Sequence, residues 1–322
     1  MKDTFFVVGP TAVGKTALAI ELAEKSDAEI VNADAFQVYC GLDVLTAKPD
    51  GEAQRRVRHH LLGQIPLSET MSAAIFRELA CGALADIHLR KKNAIVVGGS
   101  GLYIKALTHG LSPLPEADPK LRAKLNAMSL DDLRSQLAEL DPETARKIDM
   151  KNRRRLVRAL EICLSSGKPA SEVVAEGVDL GSLANVGPRS APAATGAEST
   201  VPVTGVFVFR DRDELYERIN QRVETMFKHG VIEEVRTAGV TSATASQMIG
   251  LREIRELLAG KKSLPQCVAE IQQATRRYAK RQLTWFRGQT NFLPLNLSFL
   301  THNEAVKWIS LRIPSEAGTR DD

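Results

Sequence analysis

The run Gly9-Pro10-Thr11-Ala12-Val13-Gly14-Lys15-Thr16 has the residue types and spacing of a phosphate cradle, G-x-x-x-x-G-K-[ST]. Its chemistry is local. Successive backbone N–H groups curl around phosphate oxygens, and the amino end of the following helix adds partial positive charge. Lys15 reaches outer phosphates, and Thr16 offers a hydroxyl to Mg²⁺. The motif specifies phosphate without specifying ATP. A nucleotide hydrolase normally adds a carboxylate for Mg²⁺ at the end of a neighbouring strand. Here the apolar run Ala94–Val97 passes into Gly98-Gly99-Ser100-Gly101 with no acid. That counts against nucleotide hydrolysis, although a small-molecule kinase can lack this carboxylate too.

Asp34 falls just beyond the short apolar run Glu29–Asn32, and Ser100 just beyond Ala94–Val97. In open α/β sheets ligands bind at the carboxyl ends of the strands, so both side chains belong to the edge that carries the phosphate loop. Position alone leaves Asp34 two readings: a carboxylate that binds metal or takes a proton, or a turn cap.

To bring these residues together, the first hundred residues must alternate strand and helix: strands at Phe5–Val8, Glu29–Asn32 and Ala94–Val97, helices at Lys15–Ser26 and Ser72–Leu89. Short apolar strands alternating with helices predict an α/β fold, a P-loop-type parallel sheet flanked by helices. From about Asp118 the pattern is helical only, with Asp118-Pro119 and Asp141-Pro142 as helix starts, Ser129 with Asp132 as a capping pair, and Asn152–Ser165 stopped by Gly167. A strand returns at Gly205–Phe209, followed by helices at Asp213–His229, Ser246–Ala259 and Leu264–Arg287. The expected organisation is one core, 1–114 with 202–322, interrupted by an all-helical insertion, 115–201. Within it, 177–202 is a loop rich in Gly, Ala, Ser and Pro, and the tail after Ile313 is expected to be disordered.

The 322 residues carry a net charge of +4 and are 43% hydrophobic, as for an ordinary globular protein. No stretch approaches the roughly 18 apolar residues of a membrane helix, and the amino-terminal apolar run is too short for a signal peptide. A cytoplasmic protein without a membrane partner is expected, with a monomer favoured. Cys40, Cys81, Cys163 and Cys267 lack CxxC spacing and read as free thiols. His59 and His60 precede Leu61-Leu62 and read as packing or hydrogen-bonding groups.

Charge distribution says more than net charge. Lys151, Arg153, Arg154, Arg155 and Arg158 crowd one segment of the insertion. On the helix Leu264–Arg287, residues set about 100° apart place Arg276, Arg277, Lys280, Arg281 and Arg287 on one arc. Ile271, Ala274, Tyr278, Trp285 and Phe286 fall opposite, where Trp285 reads as core. Such stripes are commonly solvated faces; two of them beside a phosphate site also suit RNA. Arg218 and Arg222 share a helix face and could line the phosphate site, although pairing with acids such as Glu214 is the simpler reading.

Taken in order, a longer series carries a family resemblance. It comprises Gly9–Thr16, Asp34-Ala35-Phe36-Gln37-Val38-Tyr39, Gly41-Leu42-Asp43, Thr46-Ala47-Lys48-Pro49 and His59-His60-Leu61. Then come Gly98-Gly99-Ser100-Gly101-Leu102-Tyr103, Gly110-Leu111 with Asp118-Pro119, and Arg154-Arg155 with Arg158-Ala159-Leu160-Glu161. Ile249-Gly250-Leu251-Arg252-Glu253 and Arg281-Gln282-Leu283-Thr284-Trp285-Phe286-Arg287 complete it. From about residue 4 to residue 295, except across 177–202, the chain resembles the bacterial tRNA dimethylallyltransferases, also called tRNA isopentenyl-pyrophosphate transferases.

The resemblance implies that dimethylallyl diphosphate occupies the P-loop, at Gly9 and Thr11-Ala12-Val13-Gly14-Lys15-Thr16, with Mg²⁺ at Thr16. The implied acceptor is N6 of the adenine at position 37, beside the anticodon of tRNAs reading codons that begin with U. Asp34 matches the general base, and Ser100 and Arg218 match groups assisting at the reacting centre and diphosphate. Residues matching tRNA contacts are Asp34, Ala35, Phe36 and Gln37, with Ser100 and Arg122. So do Arg154-Arg155-Leu156-Val157-Arg158 and Gln247-Met248-Ile249-Gly250-Leu251-Arg252, to which the basic stripe adds Arg276, Arg277, Lys280 and Arg281. Departures are Ala35 for a frequent Ser, Ser100 for the usual Thr, Leu45 where the pattern has Gly, Gly63 where it has Asp, and Ile75 at a usually acidic position. The alternatives are a P-loop kinase of a small metabolite, an isopentenyltransferase acting on free adenine nucleotides, and an RNA-binding protein with a degenerate site.

Overall fold

The computed structural model describes residues 4–111, 114–115, 118–176, 204–289 and 292–313. Six parallel strands form one sheet: β1 (Thr4–Val8), β2 (Ala28–Asn32), β3 (His59–His60), β4 (Asn93–Gly98), β5 (Thr204–Phe209) and β6 (Leu293–Asn296), in the order β3-β2-β4-β1-β5-β6. β1 and β2 are buried throughout, which is why apolar side chains dominate them; Glu29 and Asn32 of β2 are buried polar groups that bond His60 and the Leu61 carbonyl. Alternation sorts their side chains onto two cores. Phe6, Val8, Val31 and Val96 face one side, while Phe5, Val7, Ile30 and Ile95 face the other.

The chain goes from β1 outward to β2 and returns to insert β4 between them, then crosses to β5. Strand order therefore reverses beside β1, where an α/β sheet opens its ligand crevice. Val8 pairs with Gly98, and Asn32 with Val97, so the loops leaving β1, β2 and β4 emerge level with one another.

Around the strands lie α1 (Lys15–Lys25), α2 (Asp43–Thr46), α3 (Gly51–Arg56), α4 (Ala73–Leu89) and α5 (Gly101–His109). The helical region holds α6 (Pro119–Ala127), α7 (Leu130–Leu140), α8 (Pro142–Lys147), α9 (Arg153–Ser166) and α10 (Ala170–Glu176). The chain continues with α11 (Arg212–Lys228), α12 (Val231–Thr237), α13 (Leu251–Leu258), α14 (Leu264–Arg287) and α15 (His302–Ser310). The helix starts read from sequence hold their caps: Asp118 accepts from the Lys120 N–H at 2.8 Å, Ser129 from Asp132 at 3.1 Å and Asp141 from Thr144 at 2.9 Å.

Two compact units result, Met1–His109 with Thr200–Asp322, and Gly110–Ser199. The second has its own core of Leu125, Leu133, Leu137, Leu156 and Leu160. The loop 177–202 and the tail after Ile313 lie outside the described residues. The expected helix Ser246–Ala259 is corrected to a 3-10 turn, Ala245–Gln247, and the separate α13, because Gly250 between them takes a left-handed φ of 97°. β3, α12, β6 and α15 are elements not anticipated from sequence.

No described helix is long and apolar enough to cross a membrane. All four cysteines are free thiols. His60 Nε2 meets Glu29 Oε2 at 2.7 Å and His59 Nδ1 meets the Val57 carbonyl at 2.8 Å, so both histidines serve packing and hydrogen bonding.

Candidate active site

β1 ends in a loop whose backbone alternates in hand. Gly9, Ala12 and Gly14 all have positive φ, and this winding turns successive N–H groups inward as a nest. Gly14 is the N-cap of α1 and has no side chain to fill that role, so the first amides of the helix are left for an anion. Gly9 is required by close approach, since a Cβ there would lie 2.2 Å from the Val208 carbonyl oxygen of β5. Val13 is fully buried and can offer only its backbone. The Thr11 N–H is already given to Gln282 Oε1 at 3.0 Å, so Thr11 faces the cavity through its hydroxyl.

A cavity of about 430 Å³ opens over this loop. It is lined by Lys15 and Thr16 from the P-loop, Asn32, Asp34 and Gln37 from the end of β2, and Arg218 and Arg222 from α11. Both arginines point at the loop: Arg218 Nε donates to the Ala12 carbonyl at 2.9 Å, and an Arg222 NH group donates to Thr11 Oγ1 at 2.9 Å. Pairing with Glu214, the simpler sequence reading, does not occur for Arg218; Glu214 is bonded instead by Arg210 at 2.5 Å. Burial lowers the pKa of both guanidiniums, with Asp34 opposing that shift at Arg222 and Arg210 adding to it at Arg218. Lys15 donates to the Pro10 carbonyl at 2.7 Å. Burial brings its pKa down to about 8, Asp34 pulling it up and Arg222 pushing it further down. Three partly desolvated cations thus converge where an anion would replace lost water.

Asp34 is a turn cap that also lines the cavity. Its Oδ1 caps the turn, accepting from the N–H groups of Phe36 at 2.9 Å and Gln37 at 3.3 Å, while the residue lines the cavity. Ser100 Oγ accepts the Ala35 N–H at 2.9 Å, tying the turn after β4 to the turn after β2. Tyr278 of α14 lies beside Ser100, and burial with the nearby Asp34 charge holds its phenol well above the ordinary range, so it remains a neutral hydroxyl. Gln37 donates to the carbonyls of Thr46 at 3.1 Å and Ala47 at 3.0 Å, which fastens the segment after β2 over the site.

Thr16 and Asp34 supply one hydroxyl and one carboxylate to the same cavity, and no cluster of three His, Cys, Asp or Glu side chains fit for a metal occurs among the described residues. That donor set suits Mg²⁺, which keeps several waters and is held by one or two carboxylates plus the phosphates of a ligand.

The remaining sequence-derived residues divide by burial. Arg277, Lys280 and Arg281 are exposed on α14, as is Arg154 on α9. Arg276 does not share that solvent face: it bonds Asn220 Oδ1 at 2.5 Å and stacks toward Tyr216. Leu156, Val157, Met248 and Leu251 are core residues whose side chains are buried. Arg122 pairs with the buried Glu161, which also takes Arg158 at 3.4 Å, so this pair begins as a structural ion cluster with one cation in excess. Arg155 and Ile249 are half-buried, and Gln247 is exposed. Arg252 lines a separate hollow of about 300 Å³ with Arg255 and Lys261. Ala35 and Phe36 are half-buried beside Asp34. Of the departures, Leu45 is buried against Gly250, Gly63 sits at φ 61°, and Ile75 is exposed on α4; none of the three lines the cavity. Trp285 packs edge-on against the fully buried Phe286, with ring centroids 4.8 Å apart.

Sequence reasoning did not assign Gln282, which bonds both the P-loop and the Gly99 turn. The available signal was a polar residue at the centre of the apolar face of α14, four after Tyr278 and three before Trp285.

With this geometry established, comparison with known proteins is specific. A family model described as IPP transferase matches residues 37–289. A tRNA dimethylallyltransferase of Akkermansia muciniphila is 42% identical over 286 residues, covering 89% of this chain and 90% of the relative. A tRNA dimethylallyltransferase 1 of Citrifermentans bemidjiense is 43% identical, with 88% of each chain covered. Among solved structures, the full-length tRNA isopentenylpyrophosphate transferase of Bacillus halodurans superposes with a TM-score of 0.66 at 31% identity, over 97% of this chain and 95% of that one. A eukaryotic dimethylallyltransferase acting on tRNA gives a TM-score of 0.74 at 25% identity, over 99% of this chain and 82% of that one.

Proposed function

The chain belongs to the IPP transferase family and is a tRNA prenyltransferase, and on that premise we propose that its P-loop cavity transfers a dimethylallyl group from dimethylallyl diphosphate to N6 of adenine 37 in tRNAs reading codons that begin with U. The observation that carries the chemistry is the shared cavity of the P-loop nest and Asp34.

An exocyclic adenine amine is a weak nucleophile because its lone pair is delocalised into the ring. Asp34, fixed through Oδ1, accepts the N6 proton with its other oxygen as the N–C bond forms. The allylic C–O bond breaks, and its electron pair leaves on diphosphate. Amides of the nest, Lys15, Arg218 and Arg222 stabilise the negative charge that develops there. Mg²⁺, held by Thr16 and the diphosphate, supplies further charge neutralisation when bound. Ser100 holds the Asp34 turn in place through the Ala35 N–H. The adenine must leave its stack to enter, the general solution for enzymes acting on bases. Exposed Arg277, Lys280, Arg281 and Arg154 are suited to the RNA backbone. We place the enzyme in the cytoplasm, acting as a monomer.

Labelled dimethylallyl diphosphate offered with tRNA, AMP, or ATP plus metabolites tests the proposal. Label is expected in tRNA; label in AMP, or ATP turnover without prenylation, overturns it. Asp34→Ala is expected to abolish transfer while tRNA binding persists, and transfer near the wild-type rate would remove Asp34 from the base role.

A further inference from the structure

Tyr278, Gln282 and Trp285 follow at i, i+4 and i+7 down one face of α14, and all three meet the turn that carries Ser100. Tyr278 lies beside Ser100, Gln282 Nε2 donates to the Gly99 carbonyl at 2.8 Å, and the Trp285 ring lies 2.5 Å from where a Gly101 Cβ would stand. Gln282 also reaches the other loop: its Oε1 accepts the Thr11 N–H at 3.0 Å.

We propose that Gln282 is a positioning residue for prenyl transfer, its single carboxamide setting the spacing between the P-loop that holds the departing diphosphate and the Ser100–Asp34 side that receives the adenine. The proposal rests on the function assigned above to the P-loop.

A carboxamide presents one acceptor and one donor group on a rigid plane, which matches an inward N–H on one loop and an inward carbonyl on the other. The two loops leave no room for anything bulkier. A Cβ on Gly99 would fall 2.3 Å from Gln282 Nε2 and 2.9 Å from the Gly9 carbonyl oxygen, and a Cβ on Gly98 2.1 Å from the Ala33 oxygen. Backbone thus packs on backbone, with the Gln282 amide as the one side chain bridging Thr11 and Gly99 among the described residues. A polar group at the centre of an apolar packing face is tolerated only when its hydrogen bonds are met, and here the two catalytic loops meet them. Because the Thr11 N–H is committed to Gln282, the anion falls to the later amides of the nest, whose direction is set by that bond. Donor carbon and acceptor nitrogen must meet in line, so the separation of the loops controls rate more than affinity for RNA.

Two variants of the full chain test this. Gln282→Met keeps length and packing and removes both hydrogen bonds. Gln282→Glu keeps an acceptor for Thr11 and turns the donor into a carboxylate that repels the Gly99 carbonyl until it is protonated. Single-turnover transfer, binding of inorganic diphosphate, binding of tRNA and thermal unfolding are measured for each. For Gln282→Met the transfer rate is expected to fall about tenfold to a hundredfold, diphosphate to bind several-fold more weakly (roughly threefold to tenfold), and tRNA affinity to stay at the wild-type value. For Gln282→Glu the rate relative to wild type is expected to rise as pH falls, since the neutral carboxyl again donates to Gly99. Wild-type rate and diphosphate affinity in Gln282→Met overturn the proposal. Should that variant fail to fold, a flat pH ratio for Gln282→Glu overturns it instead. Wild-type enzyme that takes no label from the donor refutes the assigned function itself, a result separable from any variant.

Discussion

Oδ1 of Asp34 accepts two backbone N–H bonds, and this capping fixes the carboxylate in the cavity where the proposed proton transfer needs it. Lys15 shows how the neighbouring anion site is tuned. In the ligand-free protein its pKa is about 8 against an ordinary 10.5, chiefly through burial. A bound diphosphate favours the ammonium form and raises that pKa. The contribution of Lys15 to affinity is therefore greatest below about pH 8, where the ammonium is already present, and falls as pH rises through that value, by up to about tenfold per pH unit. Titration calorimetry with inorganic diphosphate is expected to show this slope in excess of a Lys15→Met variant, which binds more weakly at every pH and lacks the extra dependence. The linked effect on folding has the opposite sense. The depressed pKa means the fold carries a destabilising charge below pH 8 that lightens between about 8 and 10.5.

Among the elements, the break before α13 connects a departure from the family's pattern to packing. Leu45, one of the departures named from the sequence, is only 4% exposed, and its Cδ1 lies 2.8 Å from where a Gly250 Cβ would stand. Gly250→Ala therefore meets both a left-handed φ of 97° and Leu45. It is expected to cost about 2–4 kcal/mol in denaturant unfolding. Combined with Leu45→Ala, the cycle should show a favourable coupling of about 1 kcal/mol, the remainder being backbone strain. An additive pair would show that the two residues do not press on each other.

This element also marks where sequence reading stops. The P-loop, β1, β2, β4 and β5 were legible because their signals are local: a glycine-lysine spacing and short apolar runs. The helical period of Ser246–Ala259 continues past Gly250, so only the φ of that glycine reveals two elements. β3 has two residues, and β6 begins with exposed Leu293 and Pro294, so neither carries an apolar run. The partners of Arg218, Arg222 and Gln282 are loop groups brought in by the fold from far along the chain, which no spacing encodes. Arg122 and Arg276 looked like their exposed neighbours until Glu161 and Asn220 claimed them.

For the molecule as a whole, charge placement outweighs net charge. The exposed trio Arg277, Lys280 and Arg281 lies on the outer face of α14, the helix whose inner face carries Tyr278 and Gln282. Replacing all three with alanine is expected to reduce the slope of log affinity for tRNA against log salt by about 2–3, roughly one per lost phosphate contact. Filter binding across a salt series checks it, and an unchanged slope would assign the stripe to solvent.

Thr11 and Gln282, joined by one hydrogen bond, stand 271 positions apart. During translation the octapeptide that carries the whole phosphate motif is made well before β5, the strand behind Gly9, and longer still before α14, the helix that bonds Thr11. A nascent chain that stops before α14 has the motif without the Gln282 bond that fixes Thr11. Full affinity for the donor is thus expected only once α14 has docked, and a shorter nascent product is expected to hold the donor more weakly.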